Sequence, residues 1–112
     1  MENARPLRYV LDENRHAVEE PSLVAWGEWL EDPANRVVGW TLVNSDVEVL
    51  TAFLGLDLAR RGRRGPPVLF ETMISGGSLD GRHWRYSSWD DAETGHKAAV
   101  RKAHAADGTT QP

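Results

Sequence analysis

Glu71 and His83 are the residues of this 112-residue chain whose types and spacing come closest to proton-transfer chemistry. Each lies in an expected strand, residues 68–74 and 79–86, and the strands flank Ser75-Gly76-Gly77-Ser78, a strong hairpin signal. With Gly76 to Ser78 as a three-residue loop, alternation sets Phe70 opposite Trp84, Val68 opposite Tyr86 and Glu71 opposite His83. A carboxylate that orients an imidazole can serve as a general base. The same pair is also an ordinary cross-strand contact on an outer sheet face. Thr72 and Ser75 stand nearby without the tight turn that activates a nucleophile. The structural reading is favoured: Glu71 and His83 are weak candidates, and no catalytic residue is assigned.

Arg60, Arg61, Arg63 and Arg64 could grip phosphates by charge and forked hydrogen bonds, with Gly62 and Gly65 letting the loop adapt. A solvated connection between strands accounts for them more simply. His96 falls on the inner stripe of a helix, where a core histidine bonded to a backbone carbonyl is favoured over a ligand. His83, His96 and His104 lack the spacing of a zinc or iron motif, so neither metal nor cofactor is expected. Gly76-Gly77-x-Leu79-Asp80-Gly81 lacks the lysine of a phosphate loop and reads as a turn with a bulge at Asp80-Gly81. Of the five tryptophans, Trp26, Trp40 and Trp84 fit core positions. Trp29 and Trp89 are candidates for a contact patch, because tryptophan is enriched at interface hot spots, though helix-to-sheet packing explains them as well.

These side chains need a scaffold, and the chain is long enough for one domain with its own core. The absence of cysteine excludes disulfides, thiolate metal sites and thiol nucleophiles. A net charge of −4, from thirteen basic and seventeen acidic residues, is too mild for a DNA-mimic surface and argues against a general nucleic-acid binder. Lys97 and Lys102 are the only lysines, and the arginine, alanine and glycine content suggests a GC-rich genome. No apolar run reaches the roughly 20 residues a membrane span needs, and the first eight residues lack a signal-like centre, so a cytosolic protein of a bacterial cell is expected.

The elements follow from pattern. Residues 9–11 and 16–18 form a hairpin, with Asn14 in the left-handed turn position. A first helix starts at Pro21-Ser22, carries Leu23, Trp26, Trp29 and Leu30 inward, and ends at Asp32-Pro33. Gly27 within it implies a close approach to the sheet. Residues 37–43 alternate, with Val38, Trp40 and Leu42 on one face. Residues 47–56 are apolar on both faces, as in a strand covered on both sides. A loop at 58–67 and strands at 68–74 and 79–86 follow. A second helix opens at Ser88, with Ser88 and Asp91 at capping-box spacing, and carries Trp89, Ala92, His96, Ala99 and Ala103 inward. The expected fold is α+β: an antiparallel meander of about four strands, extended by the N-terminal hairpin, with two helices on one face. Residues 1–8 are expected to be flexible, 9–104 to form the single domain and 105–112 to be a disordered tail.

Tyr9-Val10-Leu11-Asp12-Glu13-Asn14, Trp26-x-x-Trp29, Phe53-Leu54-Gly55-Leu56-Asp57, Pro67-x-Leu69-Phe70-Glu71-Thr72-Met73, Gly76-Gly77-x-Leu79-Asp80-Gly81, Arg85-Tyr86-Ser87 and Trp89-x-x-Ala92-x-x-Gly95-His96 occur in this order. Together they resemble a family of small phage and prophage proteins to which no activity is attached. The arginine-loaded loop departs from that pattern. The resemblance implies a non-enzymatic accessory protein that binds a host protein or defence complex, in the manner of an anti-CRISPR factor. A small hydrolase or nucleotide-processing enzyme using Glu71 and His83, and a nucleic-acid module using Arg60 to Arg64, are the alternatives. Either a monomer or a homodimer paired at a strand edge is compatible with the pattern.

Overall fold

The computed structural model describes residues 8–59 and 64–108. Chain order is β1 (Tyr9–Leu11), β2 (Ala17–Glu19), α1 (Leu23–Leu30), α2 (Pro33–Arg36), β3 (Val37–Asn44), β4 (Val47–Phe53), β5 (Phe70–Ser75), β6 (His83–Tyr86) and α3 (Trp89–Asp107). Strands β3 to β6 form a four-stranded antiparallel meander in sequence order, and β1 and β2 form a separate hairpin. This is the expected α+β class. Helix α3 lies along one face and touches all four strands, while α1 reaches the end of that face through Trp29 and Leu30.

Two-residue alternation decides what is buried. Val47, Val49, Thr51 and Phe53 of β4 and Phe70, Thr72 and Ile74 of β5 point under α3. From above, α3 answers with Ala92, His96, Ala99 and Ala103, a helical stripe of mostly small side chains that brings helix and sheet close. One end of the layer is a cluster of Tyr9, Leu11, Phe53, Leu69, Phe70 and Ala92. There Trp29, Phe53, Phe70 and Trp89 meet edge to face in sequence, at centroid distances of 5.6, 5.2 and 6.3 Å. Such contacts contribute about 0.5–1.5 kcal/mol each beyond their burial. The other end gathers Val47, Val49, Ile74, Ala99 and Ala103, with Trp84 packed against them.

Helix α3 is capped at its start as expected, the Asp91 N–H donating to Ser88 Oγ at 3.1 Å. It runs to Asp107, into the stretch expected as tail. The Asp107 carboxylate sits at the unfavourable end of the helix dipole, and its position is explained by the Ser78 N–H and hydroxyl that donate to it at 2.9 and 3.0 Å. Arg8, expected in a flexible segment, is bridged to Leu56. Residues 1–7 and 109–112 lie outside the described residues.

Several local expectations are corrected. The left-handed turn residue is Arg15, at φ 65°, because the Asp12 carboxylate accepts from the Asn14 and His16 N–H groups and places the reversal one residue later. Asp32 ends α1 but also caps α2, its carboxylate accepting from the Ala34 N–H at 2.9 Å with Pro33 in the first turn. Leu23 is exposed, and a Cβ at Gly27 would meet nothing within 4 Å, so no close approach to the sheet explains that glycine. Strand β4 stops at Phe53 and β5 starts at Phe70.

Candidate functional site

The hairpin register differs from expectation by two residues. Phe70 pairs with Tyr86, Thr72 with Trp84, Glu71 with Arg85 and Met73 with His83. The β5–β6 turn is longer than three residues because Asp80 organises it: its carboxylate accepts from the Gly76 N–H at 2.7 Å, and Gly76, Gly77 and Gly81 all take positive φ. A two-residue slip leaves each side chain on its expected face, so the aromatic layer survives while the cross-strand partners change. Glu71 therefore does not face His83. Arg85 Nε lies 3.1 Å from its Oε2, an exposed ion pair. His83 Nδ1 sits 3.3 Å from the Gly81 carbonyl oxygen instead. The two weak catalytic candidates are thus occupied separately.

Arg60, Arg61 and Arg63 lie outside the described residues; Arg64 is exposed. Among the described residues no group of three His, Asp or Glu side chains converges, and no helix is long and apolar enough to cross a membrane.

Beneath α3 runs a chain of polar side chains that no motif announced. His96 Nε2 is 2.9 Å from Thr41 Oγ1, and its Nδ1 is 2.8 Å from Thr51 Oγ1. Thr51 Oγ1 lies 2.5 Å from Thr72 Oγ1, and the Tyr86 hydroxyl donates to Thr72 at 3.1 Å. Each meander strand contributes one hydroxyl, from Thr41, Thr51, Thr72 and Tyr86. A one-way run of donors satisfies them: Tyr86 to Thr72, Thr72 to Thr51, Thr51 to Nδ1. That pattern assigns the proton of the neutral imidazole to Nε2, facing Thr41. His96 is bonded to hydroxyls, then, and not to the expected backbone carbonyl. Burial disfavours its charged form and lowers its pKa. The backbone leaves room for the network at two glycines: a Cβ at Gly39 would come within 2.8 Å of the His96 ring, and a Cβ at Gly95 would collide with the Tyr86 hydroxyl. Thr51, Thr72 and His96 are buried between α3 and the sheet, as befits a structural brace.

Trp29 and Trp89, the expected contact tryptophans, line one shallow cleft of about 340 Å³ with Asp12, Glu13 and Arg15. The Arg15 guanidinium stacks on Trp89, 4.2 Å from the ring centroid, and divides this cleft from a neighbour of about 430 Å³ bounded by Asn14, His16, Phe70 and Ser88. Both indoles are half-buried and packed against the core cluster, so most of their area is spent internally.

Among the described residues the opposite face of the sheet is open along the middle of its strands, although Ala52 on that face is buried. Trp40 and Leu42 are each 62% exposed, and Leu50 and Met73 each 39%. Trp40, expected in the core, and Leu50, expected under cover, are therefore corrected. Register places Trp40, Leu50, Met73 and His83 in one row straight across the four strands. Beside that row lie Leu42, Glu48 and Ser75, and on the other side Ala52, Glu71 and Arg85. The signal for this surface was present in the two-sided apolarity of β4. The pattern predicts cover on both sides, whereas among the described residues Leu50 on the face away from α3 stays 39% exposed.

No family model, curated protein or solved structure matches this chain. What the geometry defines is an α+β sheet-and-helix domain that leaves one sheet face apolar and open.

Proposed function

We propose that this protein acts by docking a protein partner on the open face of its sheet, and not by catalysis. The observation that carries the reading is the exposed row Trp40–Leu50–Met73, flanked by Leu42. An apolar strip with Leu50 and Met73 at its centre and a tryptophan at one end has the composition of an interface core, and its rim of Glu48, Glu71, Arg85 and His83 is polar. The occupant this chemistry fits is a protein surface presenting its own flat apolar strip. The separation of Glu71 from His83 supports a non-enzymatic role. Together with the resemblance to small phage proteins, the reading becomes an accessory factor of phage or prophage origin that works in a bacterial cytoplasm, with counter-defence by binding a host complex as its sharpest form.

The test uses Leu50→Glu, which sets a charge in the middle of the strip without touching the buried face. Tagged wild-type chain is expected to retain a protein from a host lysate that the variant loses, both having the same circular dichroism spectrum and Tm. A lysate protein retained equally by the two, or none retained together with a wild type that does not self-associate, would overturn the reading.

A further inference from the structure

We propose that the occupant of the open sheet face is a second copy of this chain, packed face to face about a two-fold axis running along the strands. This rests on the reading of that face as a docking surface and names its partner.

The axis lies between β4 and β5. It carries β4 onto β5 and β3 onto β6 of the second copy while keeping each cross-strand row in place. Leu50 then lies over Met73 of the second copy, and Trp40 over His83 of the second copy. Both contacts occur twice, as an isologous interface requires. In the adjacent row Glu48 comes over Ser75 of the second copy, a hydroxyl donor for its carboxylate. Glu71 brings no repulsion, because Arg85 already neutralises it within each chain. Leu50 and Met73, the apolar centre of the row, thus meet their counterparts at strand spacing, with the Trp40 and His83 rings paired at the two ends. Two sheets stacked in this way pack about 10 Å apart with strands aligned to within about 30°.

The area is sufficient for association of modest strength. Large side chains offer roughly 150–250 Å² each, so the exposed parts of Trp40, Leu42, Leu50 and Met73 amount to on the order of 400 Å² of apolar surface per copy. With the polar rim, about 600 Å² per copy is covered, near the lower limit of about 1,200 Å² in total for a specific complex. Interfaces of this size are typical of weak, transient complexes, so association in the micromolar range is the expectation to test. Edge-to-edge pairing is the weaker route to a dimer. Strand β3 has register breaks between Val37 and Gly39 and between Leu42 and Asn44, and β6 has only four residues.

Sedimentation velocity on the full chain from about 1 to about 300 µM, a range bracketing that affinity, decides the matter. Wild type is expected to pass from monomer to dimer. Leu50→Glu and, independently, Met73→Lys are expected to remain monomeric with unchanged Tm. Val24→Glu, an equal charge on the exposed side of α1, is expected to associate as wild type does. A wild type monomeric throughout, or a Leu50→Glu and a Met73→Lys that both dimerise normally, overturns the second copy as occupant. In the first case, a lysate protein retained by wild type and lost by Leu50→Glu would leave the docking reading standing; loss of both results ends both.

Discussion

His96 is stable in this fold as a neutral ring. Its two nitrogens are both engaged by threonine hydroxyls, and burial disfavours the proton that would charge it. The folded pKa lies below the ordinary value of 6.5, so between the two values the unfolded chain binds the extra proton. The stability this residue contributes is complete above about pH 6.5 and declines as pH falls through the window beneath it. Urea unfolding at pH 7.5 and 5.5, values on either side of the ordinary histidine pKa, should give a lower midpoint at the acid value. His96→Ala should lose roughly 2–4 kcal/mol at neutral pH, through a cavity and stranded hydroxyls, and flatten that part of the pH dependence. An unchanged slope in the variant would show that other groups set it. The position of His96 was legible, because Ala92, Ala99 and Ala103 mark its helical stripe. Its partners were not. Thr41, Thr51 and Thr72 read as ordinary strand residues until the strand order brings them under one helix.

Elements were legible where a cap or a period marks them. Ser88 before α3 and the alternation of β3 are examples. They were not legible where a loop's own hydrogen bonds chose the length. Asp80 closing on Gly76 is a contact four residues apart that lengthens the β5–β6 turn and moves Glu71 from His83 to Arg85. Two glycines show how little the residue type says alone. Gly27 lies in α1 with open space where a Cβ would go, so Gly27→Ala should stabilise by up to about 1 kcal/mol. Gly39 lies on β3 under the His96 ring, so Gly39→Ala should destabilise by about 1–3 kcal/mol, the usual penalty of overpacking. Thermal melts of the two variants should therefore move in opposite directions, and a shared sign would contradict the packing described around one of them.

At the scale of the whole molecule, the sheet has one face roofed by α3 and one left bare. The pattern of β4, apolar toward both, anticipated a second cover that the described chain does not supply. That difference is the physical basis of the proposal that a partner docks on the face opposite the helix. The bare face also leaves the roofed one to hold the meander in order. Each of the four strands is tied to the next by a side-chain bond as well as by its backbone ladder, through Thr41, His96, Thr51, Thr72 and Tyr86. Protons held in such a buried run are expected to exchange with water through opening of α3 from the sheet. The hydroxyl protons of Thr51 and Thr72, which in open positions vanish into the solvent line of a proton spectrum, should therefore appear as discrete resonances. Their disappearance on warming would time the parting of helix from sheet, well before global melting is visible by other means.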